Sequence, residues 1–195
     1  MGNYGSEQKI KNAVYDILKK KHVKDTSVAE ICRCAKVTRP TFYSYFEDKY
    51  DAASSAQKDL IEKYVNMKGV VTFPLFITDM HKLIHEHSEF LIHSIYMYND
   101  FSLLENPFAN NLQVVLYKIL SDNGWKKEQD PHFLCHIACN QFAHILTRLT
   151  YITLADYKYY DNSNAQNPTT TNNTTLLNIE MVKSLVPTVL TKYFF

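Results

Sequence analysis

The chain has 195 residues, 46% hydrophobic and 21% charged, with a formal net charge of +1. This is a globular composition, long enough to bury a core in one or two domains, and it excludes collagenous, disordered and disulfide-scaffold proteins. Four glycines and six prolines are few, which favours long helices over a turn-rich β fold.

The small net charge conceals an uneven distribution. Residues 1–50 carry ten Lys/Arg against six Asp/Glu, whereas residues 51–195 carry eleven against fourteen. A basic N-terminal segment on a mildly acidic remainder is the layout of a small nucleic-acid module joined to another domain. No apolar run reaches bilayer length and no secretory signal opens the chain, so no membrane partner is expected. The start Met1-Gly2-Asn3-Tyr4-Gly5-Ser6 fits the short myristoylation pattern, which is common by accident and is not taken as lipidation. Cys32, Cys34, Cys135 and Cys139 form two close pairs rather than a spread framework. That points to reduced thiols and a cytoplasmic protein.

In chain order, Ile10, Val14, Ile17 and Leu18 make one apolar stripe and predict a helix from about Glu7 to His22. Ser27-Val28-Ala29-Glu30 is a capping box opening a second helix that turns Ile31 and Ala35 inward and stops near Lys36. Thr38 is a good N-cap for a short third helix with Pro40 in its first turn, and Asp48 caps a fourth from Lys49 to about Met67. Residues 68–73, with Gly69 and a β-branched run before Pro74, mark a boundary. The pattern Leu75, Met80, Leu83, Ile84, then Phe90, Leu91, Ile95, Met97 predicts two consecutive helices broken around His87-Ser88. Phe108, Leu112, Val115, Leu116 and Ile119 predict another, closed by Asn123-Gly124. A long helix is expected from about Pro131 to Tyr157. Residues 161–175, polar and without large apolar groups, are expected to be a mobile loop. A last apolar helix, Leu176 to Phe195, should be bent or interrupted at Pro187.

Three helices in fifty residues, with a tight turn between the second and third, form a helix-turn-helix unit. In such units the third helix enters the major groove and its N-terminal residues meet base edges and phosphates. Phe42 and Phe46, one turn apart, would face the core. Pro40, Thr41, Tyr43 and Ser44 then face outward with Arg39 at the edge, beside Tyr45 and Lys49. Tyrosine and threonine hydroxyls suit phosphates, and an arginine suits guanine O6 and N7. A lysine at the start of the fourth helix could hold a phosphate together with the free amides there.

Residues 10–49 resemble the DNA-binding domain of the TetR family of bacterial transcriptional regulators. The likeness lies in the apolar first helix, the Thr26-Ser27-Val28 start with Glu30-Ile31, and the run Val37-Thr38-Arg39-Pro40-Thr41-Phe42-Tyr43-Ser44-Tyr45-Phe46 with Lys49. It implies base contacts from Arg39, Pro40 and Thr41, and phosphate contacts from Ser27, Thr38, Tyr43, Tyr45 and Lys49. It also implies an all-α protein: a helix-turn-helix DNA-binding domain at 1–50 and a helical ligand-binding and dimerisation domain at 51–195. The partners implied are double-stranded DNA, a second copy in a homodimer, and a small-molecule effector. Two positions depart from the family: Lys36 stands where glycine is usual, and an Ala/Ser run after Lys49 replaces leucines.

For the effector, the aromatics and histidines among residues 75–157 supply Phe90, His93, Met97, Phe101, Phe108, His136, Cys139 and Phe142 as candidate cavity residues, most of them ordinary core. His132, Cys135, His136 and Cys139 share one helical stripe, and His81 and His85 are one turn apart with His87 nearby. Imidazole and thiolate suit zinc or haem iron, so a metal or haem effector is an alternative to an organic one, although no CxxC or HExxH motif is present and no resident cofactor is expected. Neutral His and Cys are equally ordinary at helix interfaces. No nucleophile–base pair, glycine-rich phosphate loop or acid pair suggests an enzyme. The rival reading is a TetR-shaped interaction protein or co-activator acting through a protein partner.

Overall fold

The computed structural model describes residues 4–65, 69–95, 107–126, 130, 134–163 and 179–194. Among these the regular structure is entirely helical, and no helix is long and apolar enough to cross a membrane. The chain forms two units, Met1–Leu60 with His87–Ser102, and Ile61–Glu86 with Leu103–Phe195. The first therefore runs past the boundary expected at residue 50 and takes in a distant segment.

In the first unit, α1 (Tyr4–Leu18) buries Ile10, Ala13, Val14, Ile17 and Leu18. It stops four residues before His22, because the chain tightens at Lys20 and passes through a 3-10 turn, Val23–Asp25, that buries Val23. α2 (Val28–Ala35) and α3 (Arg39–Tyr43) follow, and α4 (Lys49–Tyr64) begins in this unit. Asp48 starts α4 by accepting from the amides of Tyr50 and Asp51, both at 2.8 Å. The Ala/Ser run lies here: Ala52, Ala53 and Ala56 are buried, as is Gln57, whose amide donates to Ser94 Oγ at 2.9 Å. Leucines at these buried positions would overpack the surrounding core.

The distant segment belongs to α5 (Phe73–Ile95), which is interrupted at His87 (φ −128°, ψ 24°) as the sequence predicts. The Tyr15 hydroxyl is 2.6 Å from His87 Nδ1, and His93 Nδ1 donates to the Leu18 carbonyl at 2.7 Å. Those hydrogen bonds, and Phe90 against the Tyr15 ring (4.8 Å), tie the second half of α5 to α1.

In the second unit, α6 (Pro107–Asp122) packs on α7 (Leu134–Ser163), and α9 (Thr188–Phe194) packs on both. Asn123-Gly124 ends α6 as expected. Gly124 (φ +88°) donates to Ser121 O and Trp125 to Leu120 O, the paired bonds of a Schellman cap. Asp130 starts α7 by accepting from the amides of Leu134 (2.8 Å) and Cys135 (3.0 Å). α7 runs through Asp161, Asn162 and Ser163, which the sequence assigned to the loop. Once a helix is nucleated, each added residue brings a hydrogen bond, so polar residues can prolong it. The rest of that loop lies outside the described residues. Pro187 interrupts the last helix, leaving α8 (Ile179–Ser184) and α9. Phe73, at the start of α5, stacks on Phe194 (4.6 Å, 6°) and lies 5.7 Å from Phe142, forming an aromatic core. Leu75, expected in that helix's apolar pattern, is instead 58% exposed, and Phe76 and Ile77 take the buried positions.

Lys36 ends α2 in the left-handed region (φ 54°, ψ 45°), with its amide and that of Val37 donating to Arg33 O and Cys32 O. A glycine there carries no Cβ penalty. Lys36→Gly is expected to stabilise the fold by about 1 kcal/mol. The readout is a higher urea midpoint at unchanged m-value; an unchanged midpoint would mean that the lysine side chain offsets the strain.

Candidate nucleic-acid interface

Local sequence builds the α2–turn–α3 unit at each joint. Ser27 Oγ accepts from the Glu30 amide at 3.2 Å, and Thr38 Oγ1 accepts from the Thr41 amide at 3.2 Å. Pro40 sits in the first turn of α3, where its missing N–H costs nothing. Phe42 is fully buried and Phe46 nearly so, their rings 5.7 Å apart. They fasten α3 to the unit's core.

The opposite side of α3 faces outward. Arg39, Pro40 and Ser44 are exposed, Thr41 is half-buried, and Tyr43 is 54% exposed with its ring edge-on to Phe42. The hydroxyls of Thr38 and Thr41 are 2.8 Å apart, and Ser44 Oγ donates to Thr41 O. Three hydroxyl side chains, those of Thr38, Thr41 and Ser44, thus lie along the same short helix as the exposed Arg39. Tyr45 is half-buried beside Phe46.

Lys49 is placed differently from the sequence expectation of an ammonium waiting at a helix start. Its Nζ donates to Lys24 O (2.7 Å) and Thr26 O (2.8 Å), clasping the turn before α2. This clasp holds the Ser27 end of α2 against the start of α4, a positioning role that sequence spacing does not reveal. Nearby, the Lys21 ammonium, 2.7 Å from Glu30 Oε2, holds that carboxyl below its ordinary range.

The candidate effector residues fall into both units. Phe90 is buried and His93 half-buried in the first. Phe108, Cys139 and Phe142 are fully buried in the second, where His136 is exposed and hydrogen bonded to Tyr117. Met97 and Phe101 lie outside the described residues. Burial pushes the Cys139 thiol up to about 12 and raises Cys135 as well, so both are neutral core groups at physiological pH. His132 lies outside the described residues. Among the described residues, no three His, Cys, Asp or Glu are grouped to hold a metal ion. What sequence reasoning missed in this unit is the stacking of Tyr117 with Trp125 (6.0 Å) and with His136 (5.3 Å), which joins α6 and its end to α7.

One face of α7 is apolar and outward. Leu134, Ile137, Ile145 and Ile152 are 54, 50, 36 and 48% exposed. They fall at i, i+3, i+11 and i+18, one line along an α-helix, with exposed Gln141 and Arg148 on the same line.

Comparison of the sequence with protein-family models and with curated proteins returns no match.

Proposed function

We propose that this chain is a DNA-binding transcriptional regulator of the TetR type, a repressor that a small-molecule effector releases from a palindromic operator. One observation carries the reading. A Thr38-capped helix with Pro40 in its first turn is pinned by Phe42 and Phe46 and presents Arg39, Pro40, Tyr43 and Ser44 outward, within a stretch, residues 1–50, whose charge excess is basic. The arrangement suits a major groove: hydroxyls for phosphates, one guanidinium for a guanine edge. The apolar line on α7 supports a homodimer, which would present two such helices to two half-sites about one DNA turn apart. Effector binding then acts by favouring a dimer geometry that does not fit the operator.

The test is selection from randomised duplexes at low salt. A palindrome should emerge, and binding should fall steeply as salt rises. Absence of any enriched sequence would sink the reading. The α7 face equally suits a different protein, which is the co-activator reading. Native mass spectrometry of the purified protein separates the two: a homodimer mass supports the regulator, a stable hetero-complex the alternative. Any retained organic ligand, metal or haem would appear in the same spectrum.

A further inference from the structure

The first unit carries a second charged feature, away from the α3 side chains. An open groove of about 710 Å³ is lined by α1 and the end of α2. Its buried floor is Ala13, Ile17 and Ala35, and Lys9, Lys20 and Lys36 stand exposed around it.

The other lysines of this unit are mostly engaged. Lys11 pairs with Glu7 and Asp59, Lys21 with Glu30, Lys49 with two carbonyls, and Lys19 lies over the Tyr15 ring. Among the described residues the ammonium groups of Lys9, Lys20 and Lys36 have no such partner. Three exposed cations of the unit thus line one groove, while Lys24, Arg33 and Arg39 stand exposed outside it. Lys36 adds an independent sign, because a lysine is kept in the left-handed conformation where glycine would be unstrained.

The groove also holds two carboxylates, the exposed Asp16 and the Lys21-paired Glu30, together with the Asn12 amide. A continuous polyanion such as a nucleic-acid backbone would have to lie across Asp16 and Glu30. A molecule with phosphate at one end and hydroxyl or amino donors at the other would not. Lysine ammoniums suit phosphate as compact charges, and carboxylates accept from sugar or base donors. The volume lies within the usual range for small-molecule sites.

We infer that this α1–α2 groove binds a phosphorylated small molecule of nucleotide type, with Lys20 and Lys36 on the phosphates and Asp16 and Asn12 on the donor-bearing end. The site is separate from α3 and independent of the DNA-binding reading.

The experiment is calorimetric titration of the full chain with ATP and, separately, with pyrophosphate, both without DNA or magnesium. ATP should bind saturably and more tightly than pyrophosphate. The double variant Lys20→Gln/Lys36→Asn, in which asparagine tolerates the left-handed backbone, should weaken ATP roughly tenfold or more through loss of two charge-assisted contacts. Lys24→Gln, an exposed lysine outside the groove, should leave binding unchanged. Asp16→Asn should weaken ATP yet strengthen pyrophosphate, a crossover that a general charge effect would not produce. Exposed Cys34 lines the groove while Cys32, Cys135 and Cys139 are buried, so ATP should slow its alkylation by iodoacetamide. No saturable ATP binding, an equal loss in Lys24→Gln, or pyrophosphate binding as tightly as ATP would overturn the proposal. Protection of Cys34 by random duplex DNA and not by ATP would reassign the lysines to nucleic acid.

Discussion

Arg39→Ala is expected to relax the base preference of the protein at one position of each half-site, by about 1–3 kcal/mol of discrimination. Tyr43→Phe is expected to weaken binding to every sequence alike. The difference follows from where each group sits. Arg39 stands exposed at the first residue of α3 with a fork of donors, the geometry that reads a guanine edge. Tyr43 offers one hydroxyl from a ring braced edge-on against Phe42, suited to a phosphate oxygen that every sequence possesses. Both side chains are exposed, so neither change should move the folded stability by more than about 0.5 kcal/mol. Selection profiles of the two variants check the assignment together. A sequence-specific loss for Tyr43→Phe with a uniform loss for Arg39→Ala would reverse the roles.

The double substitution Ile137→Glu/Ile145→Glu should convert a dimer to a monomer. In the isolated chain both positions are at least a third exposed, so the charges remain hydrated and the second unit should keep its helical signal and thermal stability. Buried between two α7 helices, the same charges would be desolvated without partners, a cost of several kcal/mol per ion. Losing the dimer separates the two recognition helices. Operator affinity should then fall about a hundredfold or more, because the second half-site no longer binds at a high effective concentration. Mass by light scattering and a binding isotherm on the selected duplex read the two steps. A variant that stays dimeric would move the interface elsewhere, and a monomeric wild type would remove the dimer from the mechanism.

Much of the N-terminal unit was legible in the sequence because its structure is locally encoded. The Ser27 and Thr38 caps, Pro40 in a first turn and the Phe42/Phe46 spacing each act over four residues or fewer, and the structure holds each as expected. The same holds for the Asn123-Gly124 cap, the interruption at Pro187 and the kink at His87. Such signals depend on backbone geometry close to the residue itself, so they survive without knowledge of the rest of the fold.

Features that join distant parts of the chain were not legible in this way. Lys49 reads as a phosphate ligand by its place at a helix start, yet its ammonium meets two carbonyls more than twenty residues away. The second half of α5 reads as part of a separate domain, but Tyr15–His87 and His93–Leu18 bind it to α1. The Tyr117 stack and the lysine-rimmed groove likewise assemble from separate segments.

By itself, then, the sequence determined the caps at Ser27, Thr38 and Asn123-Gly124, the breaks at His87 and Pro187, and which rings of α3 turn inward. Caps, prolines and apolar periodicity are short-range physics, written in neighbouring residues. Only the tertiary structure decided which lysines are neutralised and which stand free, which apolar line of α7 stays uncovered, and how far the first unit extends. Those outcomes depend on what lies within a few ångströms in space, and one-dimensional spacing carries no record of that.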